Sequence, residues 1–259
     1  MKYKTKLLVD RFASIISQWP GVECVALNEA ALPDTLDPYF ALIMDVYYRD
    51  SIPNENERQG LFGEDLAAFE TSGSGKKDRF LVGDIPIRLE YKSVDMIEEL
   101  VSIADTKFES LWLIKDSGTY GFYRLSNGEI IFSRNDWIKE IRRRLKNLGK
   151  DFWFSMRDAT ESKMEHFLSD LGAAFMQGDD FFYLISAAGF IKSACLTLFC
   201  INRQFEPSHR AYYRQVLELK ELPDSFPASI ETFLSSGHEM TMERKFSLAQ
   251  HIARGIVSL

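Results

Sequence analysis

Apolar side chains at Leu7, Leu8, Phe12, Ile15 and Ile16 recur at helical spacing and predict a helix from about Lys4 to Trp19, closed by Pro20-Gly21. Three runs then read as strands: Val22–Leu27, Phe40–Tyr48 and Ile85–Tyr91. Between the first two, Asn28 to Pro38 reads as an acidic, proline-bearing loop. Between the last two, Ser51 to Arg58 predicts an exposed loop, Glu64–Glu70 a short helix, and Thr71-Ser72-Gly73-Ser74-Gly75-Lys76-Lys77-Asp78 a turn or flap. A helix is expected over Val94–Ala104. Short strands are expected at Leu111–Ile114, Gly121–Leu125 and Glu129–Phe132, the last two joined by a hairpin at Asn127-Gly128. Asn135 can cap a helix that runs to Leu148, where Gly149 stops it.

From Asp151 onward no strand pattern remains. Helical spacing runs through Phe152–Gln177, Asp179–Arg203, Pro207–Lys220, Phe226–Ser235 and Met240–Val257. Phe181–Ile201 is apolar almost all round, which predicts a helix at the centre of a bundle. The expected architecture is α+β: a mixed sheet flanked by helices over 1–150 and an all-α bundle over 151–259.

Composition narrows the partners. The formal charge is −7 and the pI about 5.3, which argues against a nucleic-acid partner held by the phosphate backbone. Cys24, Cys195 and Cys200 lie in apolar surroundings without a Cys-x-x-Cys pair, as expected of buried free thiols in a reducing compartment. The basic start, Met1 to Lys6, is not followed by an uninterrupted apolar segment, and no run of about 20 apolar residues stands out. A cytoplasmic chain with no membrane partner is the expectation. His166, His209, His238 and His251 make no metal-ligand spacing. Gly75-Lys76 invites a phosphate-loop reading, but Glu70 and Lys77 stand where glycine and a hydroxyl residue belong. Arg142-Arg143-Arg144 reads as a solvated helix face or the border of a phosphate site.

Two carboxylates inside apolar runs carry the candidate chemistry: Asp45 in Phe40–Tyr48 and Glu90 in Ile85–Tyr91. A carboxylate in such a run is costly unless it meets a cation or lies at an open sheet end. On neighbouring strands the pair could hold Mg²⁺; either could equally sit on the solvated face of its strand. The order of helix, Pro-Gly-Val-x-x-Val-x-Leu strand, acidic loop, Asp-bearing strand, flap and Glu-bearing strand resembles the nucleotidyltransferase-fold family, proteins with a minimal polymerase-β-like domain. Some, such as the aminoglycoside nucleotidyltransferases, carry a helical bundle behind it.

The resemblance implies Mg²⁺-dependent transfer of a nucleoside monophosphate from a nucleoside triphosphate to a hydroxyl of a small-molecule acceptor. It assigns Asp45 and Glu90 to metal binding and catalysis. Asn28, Glu29, Lys77, Arg79 and Arg88 fall to the nucleotide. Lys192, Asn202 and Arg210 fall to the acceptor, the last two within Asn202-Arg203-Gln204-Phe205-Glu206-Pro207-Ser208-His209-Arg210, a motif such bundles carry. Physically that motif also serves to close one helix and open the next. The chain departs from the family pattern twice: Asn28-Glu29 stands in place of Gly-Ser, and Tyr47 in place of a second acid. Two readings follow. One is a transferase of altered or reduced activity. The other is a catalytically inactive binding or regulatory protein on the same fold, antitoxin-like or a homodimer.

Overall fold

The first half of the chain is organised by a sheet with one apolar face and one charged face. The computed structural model describes residues 3–29, 42–235 and 241–259. Most of the acidic loop before Pro38, and His238, therefore lie outside the described residues. In chain order the elements are α1 (Tyr3–Ile16), β1 (Val22–Glu29), β2 (Leu42–Tyr48), α2 (Glu55–Phe62), β3 (Leu66–Thr71), β4 (Lys77–Val82), β5 (Ile85–Ser93), α3 (Val94–Asp105), α4 (Trp112–Ser117), α5 (Tyr120–Asn127), β6 (Glu129–Ser133), α6 (Trp137–Lys146), α7 (Lys150–Gln177), α8 (Asp180–Ile201), α9 (Tyr212–Leu217), α10 (Phe226–Leu234) and α11 (Met242–Val257). The chain divides into two compact units, one of residues 1–107 with 124–147 and the other of 108–123 with 148–259.

In the first unit six strands form one sheet in the order β3-β4-β5-β2-β1-β6. β2 and β5 are parallel and the other neighbours antiparallel. Alternation along the strands sends Val25, Leu27, Met44, Val46, Phe80, Ile87, Leu89 and Tyr91 to the apolar face, where they pack with Phe12 and Ile16 of α1 and Phe62 of α2. The same alternation sends Asn28, Asp45, Tyr47, Lys77, Arg79, Arg88, Glu90 and Lys92 to the other face. Gly21 closes the turn after α1, and only a hydrogen fits there: a Cβ would stand 2.5 Å from the Arg49 carbonyl oxygen.

The apolar face holds one buried ion pair. Arg58 donates to Asp78 through Nε (2.7 Å) and a terminal nitrogen (2.8 Å), and gives another N–H to the Pro53 carbonyl at 2.8 Å. Asp78 also accepts from Tyr91 at 2.6 Å and Thr71 at 2.8 Å. With every polar atom met, the pair is tolerated inside the core.

Several local expectations are corrected. Ser51 to Arg58 is not all loop: Asn54 and Glu57 form a capping box that starts α2. The stretch expected as a helix at Glu64–Glu70 is instead β3. Helix propensity yields there to pairing with β4 and to the stacking of Phe69 on Phe80, and a bulge at Ala68 (φ +53°) absorbs the misfit. Leu111–Ile114 and Gly121–Leu125, expected as strands, lie in helical turns, α4 and α5. Asn127-Gly128 joins a helix to β6 rather than two strands. Gly128 is needed because a Cβ there would stand 2.8 Å from Asn28 Oδ1 and 2.9 Å from the Arg124 carbonyl. The helix expected over Pro207–Lys220 shortens to α9.

In the second unit α7 and α8 pack along each other, with α10 and α11 against them, around Leu171, Phe190, Leu198, Phe199, Ile230, Ile252 and Ile256. Gly178 turns the chain between α7 and α8 with φ +66°, and Asp179 caps α8 on the Phe182 amide. Gly189 lets the Phe167 ring lie directly on α8. The expectation of all-round burial holds for the C-terminal half of α8, from Ser193 to Cys200; the N-terminal half is buried along one side only, with Phe181 and Leu184 74% and 67% exposed. By length and composition α8 could cross a membrane, with a mean hydropathy of 1.9 over an 18-residue window, half of which is buried in the bundle.

The Arg58–Asp78 network generates a stability prediction. Asp78→Ala strands a buried guanidinium and is expected to cost ~3–5 kcal/mol in urea unfolding, whereas the double change Arg58→Met with Asp78→Leu costs well under half of that. A double variant as unstable as the single one would remove this account.

Candidate functional site

The site grows from strand register. In the parallel β2–β5 pair Asp45 lies directly opposite Glu90, so both carboxylates leave the same face of adjacent strands. Asp45 is fully buried and Glu90 largely so. Two like charges this close, one without solvent, require positive charge in contact. The fold supplies it. Arg124 of α5 donates from one terminal nitrogen to Asp45 Oδ1 at 2.5 Å and from the other to Glu90 Oε2 at 2.7 Å. Lys92 of β5 donates to Asp45 Oδ2 at 2.8 Å, and that oxygen also accepts from Asn28 Nδ2 (2.7 Å) and Tyr47 Oη (3.1 Å). On the other side of Glu90, Arg88 Nε lies 3.1 Å and Lys77 Nζ 3.8 Å from Oε1.

The placement of Arg124 has its own supports. Arg142 of α6, the first of the triple-arginine run, donates to the Leu125 carbonyl at 2.8 Å and to the Gly128 carbonyl, so it holds the end of α5 and the start of β6. Arg143 pairs with Glu140 on its own helix, and Arg144 reaches Asp105 and the Ser102 hydroxyl of α3. The run is thus spent on framing the fold.

Electrostatics follow the geometry. Burial pushes the Glu90 carboxyl upward, but Arg124, Lys92, Arg88 and Lys77 together outweigh it and hold the group below its ordinary value. Burial lowers Lys92; Asp45 opposes that and Arg124 adds to it. Burial, and then Asp45, raises the Tyr47 phenol well above its usual value, so it donates to Asp45 as a neutral hydroxyl. Burial likewise pushes the Cys24 thiol up to about 12.

The residues assigned from the sequence fall into separate groups. Asn28, Asp45, Lys77, Arg88 and Glu90 come together on the charged face. Arg79 stands opposite Arg88 on β4 in the same register and is exposed. Glu29 lies in β1 opposite Ile43, and its side chain is outside the described residues. Asn28 is not directed at a phosphate: its amide is committed to Asp45. Lys192, Asn202 and Arg210 belong to the helical unit. Lys192 and Arg210 are exposed. Asn202 is spent on backbone: it donates to the Leu198 and Glu221 carbonyls and accepts from the Glu221 amide. Sequence reasoning missed Arg124 and Lys92. Lys92 was legible from the alternation Arg88-x-Glu90-x-Lys92 on one strand face. Arg124 carried no such signal, because its segment read as a strand.

The donor set does not fit Mg²⁺ as it stands. Both oxygens of Asp45 and the facing oxygen of Glu90 are taken by cations or N–H and O–H donors, and Tyr47 offers a phenol where a second acid is needed. Among the described residues no group of three or more His, Cys, Asp or Glu could hold a metal ion.

No family model and no curated protein matches the chain in sequence. Solved structures match it in fold. A nucleotidyltransferase-like protein from Exiguobacterium sibiricum superposes with a TM-score of 0.51 at 13% identity, covering 98% of this chain and 74% of that one. An aminoglycoside 6-adenyltransferase from Bacillus subtilis matches at a TM-score of 0.33 and 9% identity, covering 100% and 91%, too loose a superposition to carry argument. At these identities the likeness is one of fold: the chain has a nucleotidyltransferase fold, α+β with a helical C-terminal region.

Two predictions rest on this cluster. Arg124→Met leaves the Asp45 charge buried without its main partner and is expected to cost ~3–5 kcal/mol in urea unfolding; a loss below ~1 kcal/mol would mean that the bridge contributes little. Because the folded Glu90 carboxyl sits below its unfolded value of about 4.3, its stabilisation is fully present above that pH and lost as pH falls through the lower folded value. The stability gap between the parent and Glu90→Gln should therefore close as pH is lowered from about 6 towards 3. A gap that stays constant over that range would contradict the assignment.

Proposed function

We propose that this protein uses the nucleotidyltransferase fold as a binding scaffold, without metal-dependent nucleotidyl transfer. The observation that carries this reading is the Arg124 guanidinium between Asp45 and Glu90, with Lys92 beside it. A divalent ion at these carboxylates would have to displace the buried Arg124 and the half-buried Lys92 or sit against them, and either is strongly unfavourable. Without that ion, the charge neutralisation that phosphoryl transfer needs at the leaving pyrophosphate is missing.

The ligand class follows from the remaining charge. Lys77, Arg79 and Arg88, with Arg124 and Lys92, outnumber the carboxylates of this face, Asp45, Glu90 and the Glu70 that stands opposite Arg79, and Lys77, Arg79 and Arg88 are at least partly exposed. Such a face suits a phosphate-bearing small molecule bound without a divalent ion. The acidic net charge and the three buried free cysteines fit a reducing, cytoplasmic setting.

A second reading, the Mg²⁺-dependent transferase acting on a nucleoside triphosphate and a small hydroxyl acceptor, draws on the Asp45–Glu90 register itself. It requires Arg124 and Lys92 to leave the carboxylates when substrate binds. One experiment separates the two. ATP is titrated calorimetrically in EDTA and in Mg²⁺, with pyrophosphate release followed in parallel for all four ribonucleoside triphosphates. The scaffold reading expects ATP affinity in EDTA at least equal to that in Mg²⁺, and no pyrophosphate above background. Binding that appears only with Mg²⁺, or turnover abolished by Asp45→Asn, would replace it with the transferase.

A further inference from the structure

We infer that the helical unit carries its own ligand site, a cavity at the C-terminal end of α8 built for a small organic anion with a flat apolar body. The cavity measures about 380 Å³, within the range of roughly 300–1,000 Å³ in which small-molecule sites fall. Part of its lining is apolar: Trp153, Phe154 and Ile201. Trp153 is fixed by rings on two sides, Phe152 at 5.0 Å and Phe205 at 5.2 Å between centroids. Phe154 is 73% exposed and offers an uncovered aromatic surface on the rim. Cys200 adds a further apolar patch, since burial pushes its thiol up to about 12 and keeps it protonated.

The lining is also cationic. Lys150, Arg157 and Arg203 reach the cavity against one acidic side chain, Glu221, and Leu259 completes the lining. On a chain with a formal charge of −7, a cavity wall with this balance attracts anions where the surface as a whole repels them. Arg157 is steadied by Glu161 at 3.1 Å. The frame is rigid where it needs to be: the Asn202 side chain ties the end of α8 to residue 221 through two hydrogen bonds of 2.8 Å, which fixes Arg203 and Glu221 relative to each other.

Arg203 itself is the sharpest indication. It holds φ +52° at the position that closes α8, with the Gln204 N–H on the Phe199 carbonyl at 2.9 Å; helices commonly end in this left-handed conformation, but with glycine rather than a long side chain, which is strained there. Such strain concentrates at sites where a particular side chain is required. The Arg203 hydrogen bond to the Cys200 carbonyl is made by its backbone N–H, at 3.0 Å, which glycine would make equally well. Its place in the cavity lining accounts for an arginine here. The anionic group would therefore sit among Lys150, Arg157 and Arg203, and the flat apolar body would lie on Trp153 and Phe154. This site lies wholly within 148–259 and stands or falls independently of the charged sheet face.

The probe is 1-naphthyl phosphate, titrated calorimetrically, with inorganic phosphate and 1-naphthol as its charged and apolar halves. Saturable 1:1 binding at least about tenfold tighter than either half is expected. Arg203→Gly relieves the backbone strain, so the variant should fold at least as stably as the parent, and its affinity should fall about five- to tenfold. Phe154→Ser, at an exposed position, should weaken naphthyl phosphate and leave inorganic phosphate unchanged. Absence of binding at millimolar probe, or an affinity indifferent to both substitutions, would overturn the assignment.

Discussion

Two carboxylates facing each other across parallel strands, one of them sealed from solvent, cannot both stay ionised unless cations touch them. In this protein the cations are part of the chain. Arg124 spans the pair with its planar fork, and Lys92 closes on the inner oxygen of Asp45. This arrangement links the centre of the sheet to α5, and α5 in turn to α6 through Arg142. The charged face and its chemistry follow from it: carboxylates that are fully engaged, a phenol that only donates, and a border of Lys77, Arg79 and Arg88.

The sheet contains two such solutions on opposite faces. Arg58 and Asp78 form a closed network among aromatic rings, with every donor matched, and nothing in it is available to a ligand. Arg124, Asp45 and Glu90 form an open one, bordered by Lys77, Arg79 and Arg88 at the strand surface. The difference is one of position rather than of residue type. Asp78 points towards α1 and α2, which cover it; Glu90 and Lys77 point the other way, and each keeps part of its side chain exposed. Buried charge is closed off in one place and borders an open charged face in the other because of what lies over it.

The helical unit follows a separate logic. Its core is apolar and needs no ion pairs, and close helix contact depends on small residues such as Gly189. Its charges lie along the outer faces of α7 and α11 and, at Arg203, where α8 stops. The Asn202–Arg210 segment first suggests an acceptor site, yet Asn202 works as a clamp on the backbone. Its neighbour Arg203, bent into a left-handed conformation, carries the better case for a ligand.

Much of this was legible in the chain before any fold was known. α1, α3, α10 and α11 follow from hydrophobic periodicity, because one face of each is buried against a large neighbour, and the strands around Asp45 and Glu90 and the apolar α8 follow from continuous apolar runs. Asp45 and Glu90 stood out because carboxylates in apolar runs demand an explanation. What the residues alone left undecided was set by contacts between distant segments. β3 is a strand because β4 offers it a partner, although Leu66 to Glu70 favours a helix. α4 and α5 are helices whose short apolar stretches also suit strands. Above all, the sequence places Arg124 far from Asp45, and no local pattern announces that it bridges the two acids. That pairing exists only once β2, β5 and α5 are brought together, because the energy that selects it, the neutralisation of a buried charge, does not exist in the extended chain.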